Sequence, residues 1–310
     1  LKAQINLLGT EKTQLAAARA VFDAATELPA NERERTHLAA IRATADGEFF
    51  AGREYLEDIL IAHPRDALAL QAAHLWDFYL GDARSLRDRI ARVLDAWTVA
   101  TPGRHAVLGM YAFGLEETGD YARAESFGRE GVALNPRDAW AQHAVAHVME
   151  MQARSAEGIA WMRGNESGWA KNNFFAVHNW WHLALFHLDR GETGTVLALY
   201  DSAIRGPRSG MILDLIDCSA LLWRLMLRGV ETAERWRDLA DAWADHTGDG
   251  LYAFNDVHAL MAFIGAGRNE LIGATLATMR SGAAGAGDNA RMLREVGLPV
   301  AEALVAFGRG

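Results

Sequence analysis

The sequence predicts an all-α protein, a right-handed α-solenoid of about seven helical hairpins, and three observations carry that expectation. Half of the 310 residues are hydrophobic and only six are proline, a balance that suits packed helices and argues against disorder. A small residue recurs at one turn position, at Gly47, Gly81, Gly119, Ala153, Gly191, Gly229 and Gly267, with intervals of 34, 38, 34, 38, 38 and 38 residues. Two of the prolines, in His63-Pro64 and Asn135-Pro136, fall at the same phase of that period, where the missing N–H closes a second helix.

Taken in order, the period predicts seven first helices, at about residues 33–46, 67–80, 105–118, 139–152, 177–190, 215–228 and 253–266. Each is followed by a turn and a partner helix. A tetratricopeptide hairpin has this build: about 34 residues, a small residue at the turn, Ala where the helices cross closely, and Pro near the end of the second helix. Residues 105–138 show it best, with Leu108, Ala112, the Gly119-Asp120-Tyr121 turn, Ala124 and Asn135-Pro136. The extra residues of the longer intervals belong in loops. The Gly/Ala-rich run 281–288 reads as a flexible linker before a last helix region at about 289–308. Because such arrays grow by stacking, all of 1–310 reads as one repeat domain.

Composition removes several function classes. A formal charge of −9 supplies no basic stripe for phosphates, which disfavours nucleic acid and anionic membrane as partners. Cys218 is the one cysteine, so neither an intrachain disulfide nor a Cys-based zinc site can form within the chain. It sits among Leu215, Ile216, Leu221 and Leu222 and reads as buried filler. No apolar run approaches the ~18–20 residues of a membrane span, and Leu1-Lys2-Ala3-Gln4 has no signal-peptide pattern, so a cytoplasmic setting is expected. G-x-S-x-G, phosphate-cradling glycine loops and dinucleotide fingerprints are all missing.

In a stack of such hairpins the first helices line the concave face, and positions 2, 5, 9 and 12 of each repeat turn into the groove. Counting from 139 puts His143, His147 and Glu150 at positions 5, 9 and 12, along one face of one helix. Counting from 177 puts His178 and Trp181 at positions 2 and 5, and His182 at position 6, turned toward a neighbouring helix. Glu116 and Trp223 fall at positions 12 and 9 of their own repeats, and His258 follows Asn255-Asp256 at position 6. Residues 140–187 hold five of the eleven His and five of the ten Trp, although Leu, Ile and Ala fill helical cores more economically.

The stretch therefore reads as a site, and three chemistries suit it. His143, His147, Glu150 and His178 can ligate a divalent metal, since His at i and i+4 share one side of a helix. The same four can act as catalytic general acid and base, with a carboxylate orienting a neutral imidazole. Or His and Glu form a polar lining, with Trp for bulk, that binds a small molecule or peptide.

Motifs along nearly the whole chain add a resemblance. Asp138-Ala139-Trp140 is followed by His143, Ala146-His147 and Glu150-Met151, then by His178-Asn179, Trp181-His182 and Ala184-Leu185. Leu213-Asp214, Asp217, Cys218-Ser219, Arg235-Trp236, Phe254-Asn255-Asp256, His258, Leu260-Met261-Ala262 and Gly297-Leu298-Pro299 continue the series. In this the sequence resembles the tetratricopeptide repeat protein 38 family of bacteria and animals. The resemblance implies a helical-repeat fold and puts the same His and Trp positions among the family's signature residues. It also implies that an N-terminal helical region and a C-terminal run of repeats lie outside this sequence, since members generally extend further at both ends. It implies no substrate, cofactor or reaction.

The functional expectation is a binding protein with a His/Trp-rich concave pocket built by Glu116, His143, His147, Glu150, His178, Trp181 and His182, with Trp223, Asn255 and His258 as further lining residues. An enzyme using the His/Glu cluster, with or without a divalent metal, and a protein-assembly scaffold are the alternatives.

Overall fold

The computed structural model describes residues 1–309, and helices follow one another with no strand among the described residues. They are α1 (Lys2–Leu7), α2 (Lys12–Thr26), α3 (Glu32–Ala45), α4 (Phe49–Ala62), α5 (Ala67–Tyr79), α6 (Ala83–Val93), α7 (Arg104–Glu117), α8 (Tyr121–Leu134), α9 (Ala139–Met151) and α10 (Ser155–Gly164). After these come α11 (Glu166–Trp169), α12 (Ala176–Asp189), α13 (Thr193–Leu199), α14 (Ile212–Leu227), α15 (Ala233–Trp243), α16 (Ala253–Gly265), α17 (Asn269–Ala283), α18 (Asp288–Met292) and α19 (Leu298–Phe307). The seven expected first helices are α3, α5, α7, α9, α12, α14 and α16.

The period has a backbone cause. All seven small residues at the expected turns have positive φ, from +55° at Ala153 to +86° at Gly47. In each case the next N–H bonds to the carbonyl five residues back, as in Asp120 N to Leu115 O at 2.9 Å and Arg154 N to Met149 O at 2.8 Å. This closure satisfies carbonyls that a helix end leaves unpaired, and it needs a left-handed residue that Gly adopts without strain. Starts are set by aspartate. Asp66, Asp82, Asp120 and Asp138 cap α5, α6, α8 and α9 by accepting from Ala69, Ser85, Arg123 and Ala141 N–H groups.

Packing divides the chain into two compact units, where the period alone reads as one array. A central unit comprises Glu32–His37 and Arg53–Pro207. A terminal unit comprises Leu1–Asn31, Leu38–Gly52 and the described residues from Arg208 onward. In the central unit α7 packs on α6, α8 and α9, and α12 packs on α9, α10 and α13. Its helices approach closely where side chains vanish: a Cβ on Gly109 would lie 3.0 Å from Ala141 Cβ, and one on Gly128 would lie 2.5 Å from Val145 Cγ2. Both contacts draw neighbouring helices onto α9.

In the terminal unit α16 packs on α14, α15, α17 and α19. The first residues of the chain join it. Lys12 Nζ donates to Gly248 O at 3.1 Å, Ile212 N–H to the Glu11 carboxylate at 3.2 Å, and Asn255 Nδ2 to Thr10 O at 3.1 Å. Stacked repeats ordinarily touch only their neighbours in sequence, so these bonds across more than two hundred residues depart from that pattern.

The run 281–288 is not the linker its composition suggests. Residues 281–283 are the last turn of α17, and Asp288 starts α18. Between them the turn is tied down: Asp288 N–H donates to Gly47 O and its carboxylate accepts from Phe50 N–H, both at 3.0 Å, while Arg294 Nη1 donates to Ala283 O at 2.6 Å. Gly282 serves packing, since a Cβ there would meet Leu293 Cδ1 at 2.8 Å.

Candidate functional site

The site is built on α9 and α12 of the central unit. Asp138 fixes the start of α9 twice over, capping it at Ala141 N–H and bonding His105 Nδ1 at 2.6 Å. The fully buried Asn179 of α12 donates its side-chain N–H to Ala139 O at 3.3 Å, which sets the register of α12 against the beginning of α9. With both helices fixed, His143 and His147 of α9 face His178 and His182 of α12, each pair one helical turn apart.

Four imidazoles converge. One nitrogen from each of His143, His147, His178 and His182 lies within 4.8 Å of the other three. His178 Nε2 is 3.1 Å from His143 Nε2 and 3.1 Å from His182 Nε2. The His143 and His147 rings stand 4.2 Å apart between centroids, and His147 and His182 4.6 Å. His182 does turn toward a neighbouring helix, as its position in the repeat suggests, but that helix is α9 and the turn brings it into the cluster.

Carboxylates approach from α7. Glu116 Oε2 is 3.3 Å from His147 Nδ1, and Glu117 belongs to the same group of close donor atoms. Glu116 is 5% exposed, so its carboxyl group faces the imidazole with little water between them. Burial, followed by the neighbouring Glu116, raises the Glu117 carboxyl above its ordinary range. His143 is 2% exposed; burial, then the three surrounding imidazoles, pushes it well below the ordinary imidazole value, so it is neutral near pH 7. Glu116 and Glu117 form a converging group with His147, and Glu150 lies outside both converging groups.

An aromatic shell surrounds the cluster. Phe113 of α7 packs on Trp140, His143 and His147 at 5.1–5.3 Å between centroids. Phe175, just before α12, contacts Trp140, His143 and His178 at 4.8–5.1 Å. Trp181 stacks on His178 at 5.4 Å and meets His182 edge-on at 4.9 Å. Phe113, Phe175 and Glu117 are absent from the sequence-based site. Phe113 was findable, because it occupies position 9 of its own repeat; Phe175 and Glu117 lie at no groove position.

Part of the His/Trp enrichment is structural. Trp161 and Trp169 bond the carbonyls of Gln142 and Met162 at 3.1 Å, Trp180 packs on Trp169, and His187 pairs with Glu192 at 2.6 Å beside the turn after α12. Trp223, Asn255 and His258 belong to the terminal unit, each with its own neighbours. Trp223 meets Phe307 at 5.9 Å, Asn255 holds Thr10, and His258 Nδ1 bonds Phe254 O at 2.9 Å.

A comparison of the chain with protein-family models finds no match. No helix among the described residues is long and apolar enough to cross a membrane. The chemistry available at the site is that of converging imidazole nitrogens beside a buried carboxyl group: binding a cation or a hydrogen-bonding ligand, and relaying a proton through His147.

Proposed function

We propose that this protein is a tetratricopeptide-like solenoid, related to the tetratricopeptide repeat protein 38 family, that binds a compact ligand at the His/Trp cluster of α9 and α12. The convergence of four imidazoles carries the reading. Burying polar nitrogens in an aromatic setting costs about 1–3 kcal/mol for each that lacks a partner, and the buried Nδ1 of His143 has none. Leucine would fill the same space without that cost, so the cluster is a local departure from stable packing of the kind that function imposes. The acidic chain and its single buried cysteine support a cytoplasmic setting and a partner other than nucleic acid.

The test is a titration of the folded chain against a metabolite set and a peptide set, with His143→Ala and His178→Ala beside the wild type. We expect a compact ligand whose affinity falls at least tenfold in both variants. Robust peptide binding indifferent to both would overturn the reading in favour of an assembly scaffold. The Glu116–His147 pair supports a second reading, an enzyme with His147 as proton carrier, for which turnover with a bell-shaped pH profile that is lost in His147→Ala is the signature.

A further inference from the structure

We propose that His143, His147, His178 and His182 bind one divalent late first-row transition ion, with Zn2+ as its representative, and that Glu116 orients His147 toward it. This rests on the reading of the cluster as the ligand site and names the ligand's class. Three observations point to it.

The first is size. A tetrahedral ion with metal–nitrogen bonds of about 2.0–2.1 Å separates its ligand nitrogens by roughly 3.3–3.4 Å. Two Nε2–Nε2 distances of 3.1 Å, both centred on His178, are close to the edges of such a tetrahedron. The second is proton counting. A neutral imidazole nitrogen carries either one hydrogen or one lone pair, so His178 Nε2 cannot make two full hydrogen bonds to His143 and His182 at once. A shared cation satisfies all three lone pairs together. The third is the far side of His147. Its Nδ1 faces Glu116 at 3.3 Å, which leaves Nε2 as the donor toward the cluster. A carboxylate behind a ligating imidazole fixes the ring's tautomer and raises its basicity.

The donor set selects the ion. Imidazole nitrogen suits zinc, copper, nickel and iron, whereas Ca2+ and Mg2+ take oxygen ligands. Glu116 places a carboxyl group beside the imidazoles, and the rings of Phe113, Phe175 and Trp181 pack against them. His147, whose side chain is 23% exposed, is the route of entry.

The experiment uses the full chain, free of any His tag and purified without chelator. Elemental analysis should find close to one transition ion per chain. After stripping, Zn2+ should rebind at one site per chain, and Co2+ should give visible ligand-field bands of a nitrogen-coordinated ion. His178→Ala and His182→Ala should each weaken Zn2+ binding at least 100-fold, and Glu116→Gln by about 10–100-fold. His63→Ala, which removes an exposed histidine, should leave Zn2+ binding unaltered. Circular dichroism checks folding, and if the buried His182 variant does not fold, the partly exposed His147→Ala and His178→Ala carry the test. Absence of the ion together with no saturable Zn2+ binding by folded protein overturns the proposal; so does binding indifferent to the His variants. If that happens while a compact organic ligand still depends on His143 and His178, the metal is wrong and the binding reading survives; if neither ligand depends on them, both fall.

Discussion

Asp256 shows what burial does to a single ionisable group. It lies on α16, 4% exposed, with one carboxylate oxygen lacking any hydrogen-bond partner. Burial, then the nearby charge of Asp249, pushes it up to about 7. Its folded-state value thus lies above the ordinary carboxylate range, so the folded chain holds a proton that the unfolded chain releases. Stability is present in full below about pH 4 and is lost as pH rises through 7. His246, raised by its hydrogen bond to Asp249, adds a loss of the same sign as it deprotonates. At about 1.4 kcal/mol per unit, Asp256 alone should weaken the fold by about 2–3 kcal/mol between pH 5 and pH 8. Asp256→Asn should be more stable than wild type at pH 8 and show a shallower slope. Chemical denaturation at the two pH values measures both, and an undiminished slope would place the dependence elsewhere.

At the scale of the element, the repeated turn is the unit of design. Six of the seven turns have Gly in the left-handed position, and the seventh has Ala153 at φ +55°. An alanine there bears a steric cost that glycine avoids, offset in part by the greater entropy glycine loses on folding. Ala153→Gly should therefore stabilise the protein by about 0.5–1 kcal/mol, read as a shift of the urea midpoint at constant slope. A destabilising result would show that the methyl group makes a packing contact worth more than the strain.

Elements were legible in the sequence because their causes are local. Left-handed turns, aspartate caps and Pro at helix ends each act within a few residues, so α3, α5, α7, α9, α12, α14 and α16 could be read from spacing. The histidine pairs were legible for the same reason, as i and i+4 neighbours on one helix. The contact between helices was not. Glu116 reaches His147 from another helix through the close approach of α7 to α9, where Gly109 meets Ala141, and spacing within one helix does not announce that approach. Nor does the run 281–288 announce that Gly282 serves packing against Leu293, since composition cannot distinguish a loose chain from a close contact.

At the scale of the molecule, the two units differ in how the chain supplies them. Most of the central unit is one continuous stretch, Arg53–Pro207, and it contains the whole His cluster. The terminal unit gathers segments from both ends of the sequence. Three of its long-range bonds start from Thr10, Glu11 and Lys12, which hold Asn255, Ile212 and Gly248. Deleting residues 1–12 should speed amide hydrogen exchange at 248–256, because Asn255 and the Gly248 carbonyl lose their partners. Unchanged exchange there would mean that these bonds add nothing to the unit's stability.

The discontinuous unit also sets a timetable for the ribosome. About 180 residues separate Asn31 from Arg208, so at about 5–20 residues per second the first helices wait roughly 10–35 s for their partners to emerge. What waits is mostly harmless. Ala3, Leu7, Ala18, Phe22, Ile41 and Ala45 form an apolar cluster among themselves, all within the first 45 residues of the chain. The polar groups that await late partners in that interval include the carbonyl of Thr10, the carboxylate of Glu11, the ammonium of Lys12, the carbonyl of Gly47 and the N–H of Phe50, which water can satisfy until α14, α16 and α18 arrive. The nascent chain thus hides its sticky surface early and leaves a polar edge for the late join.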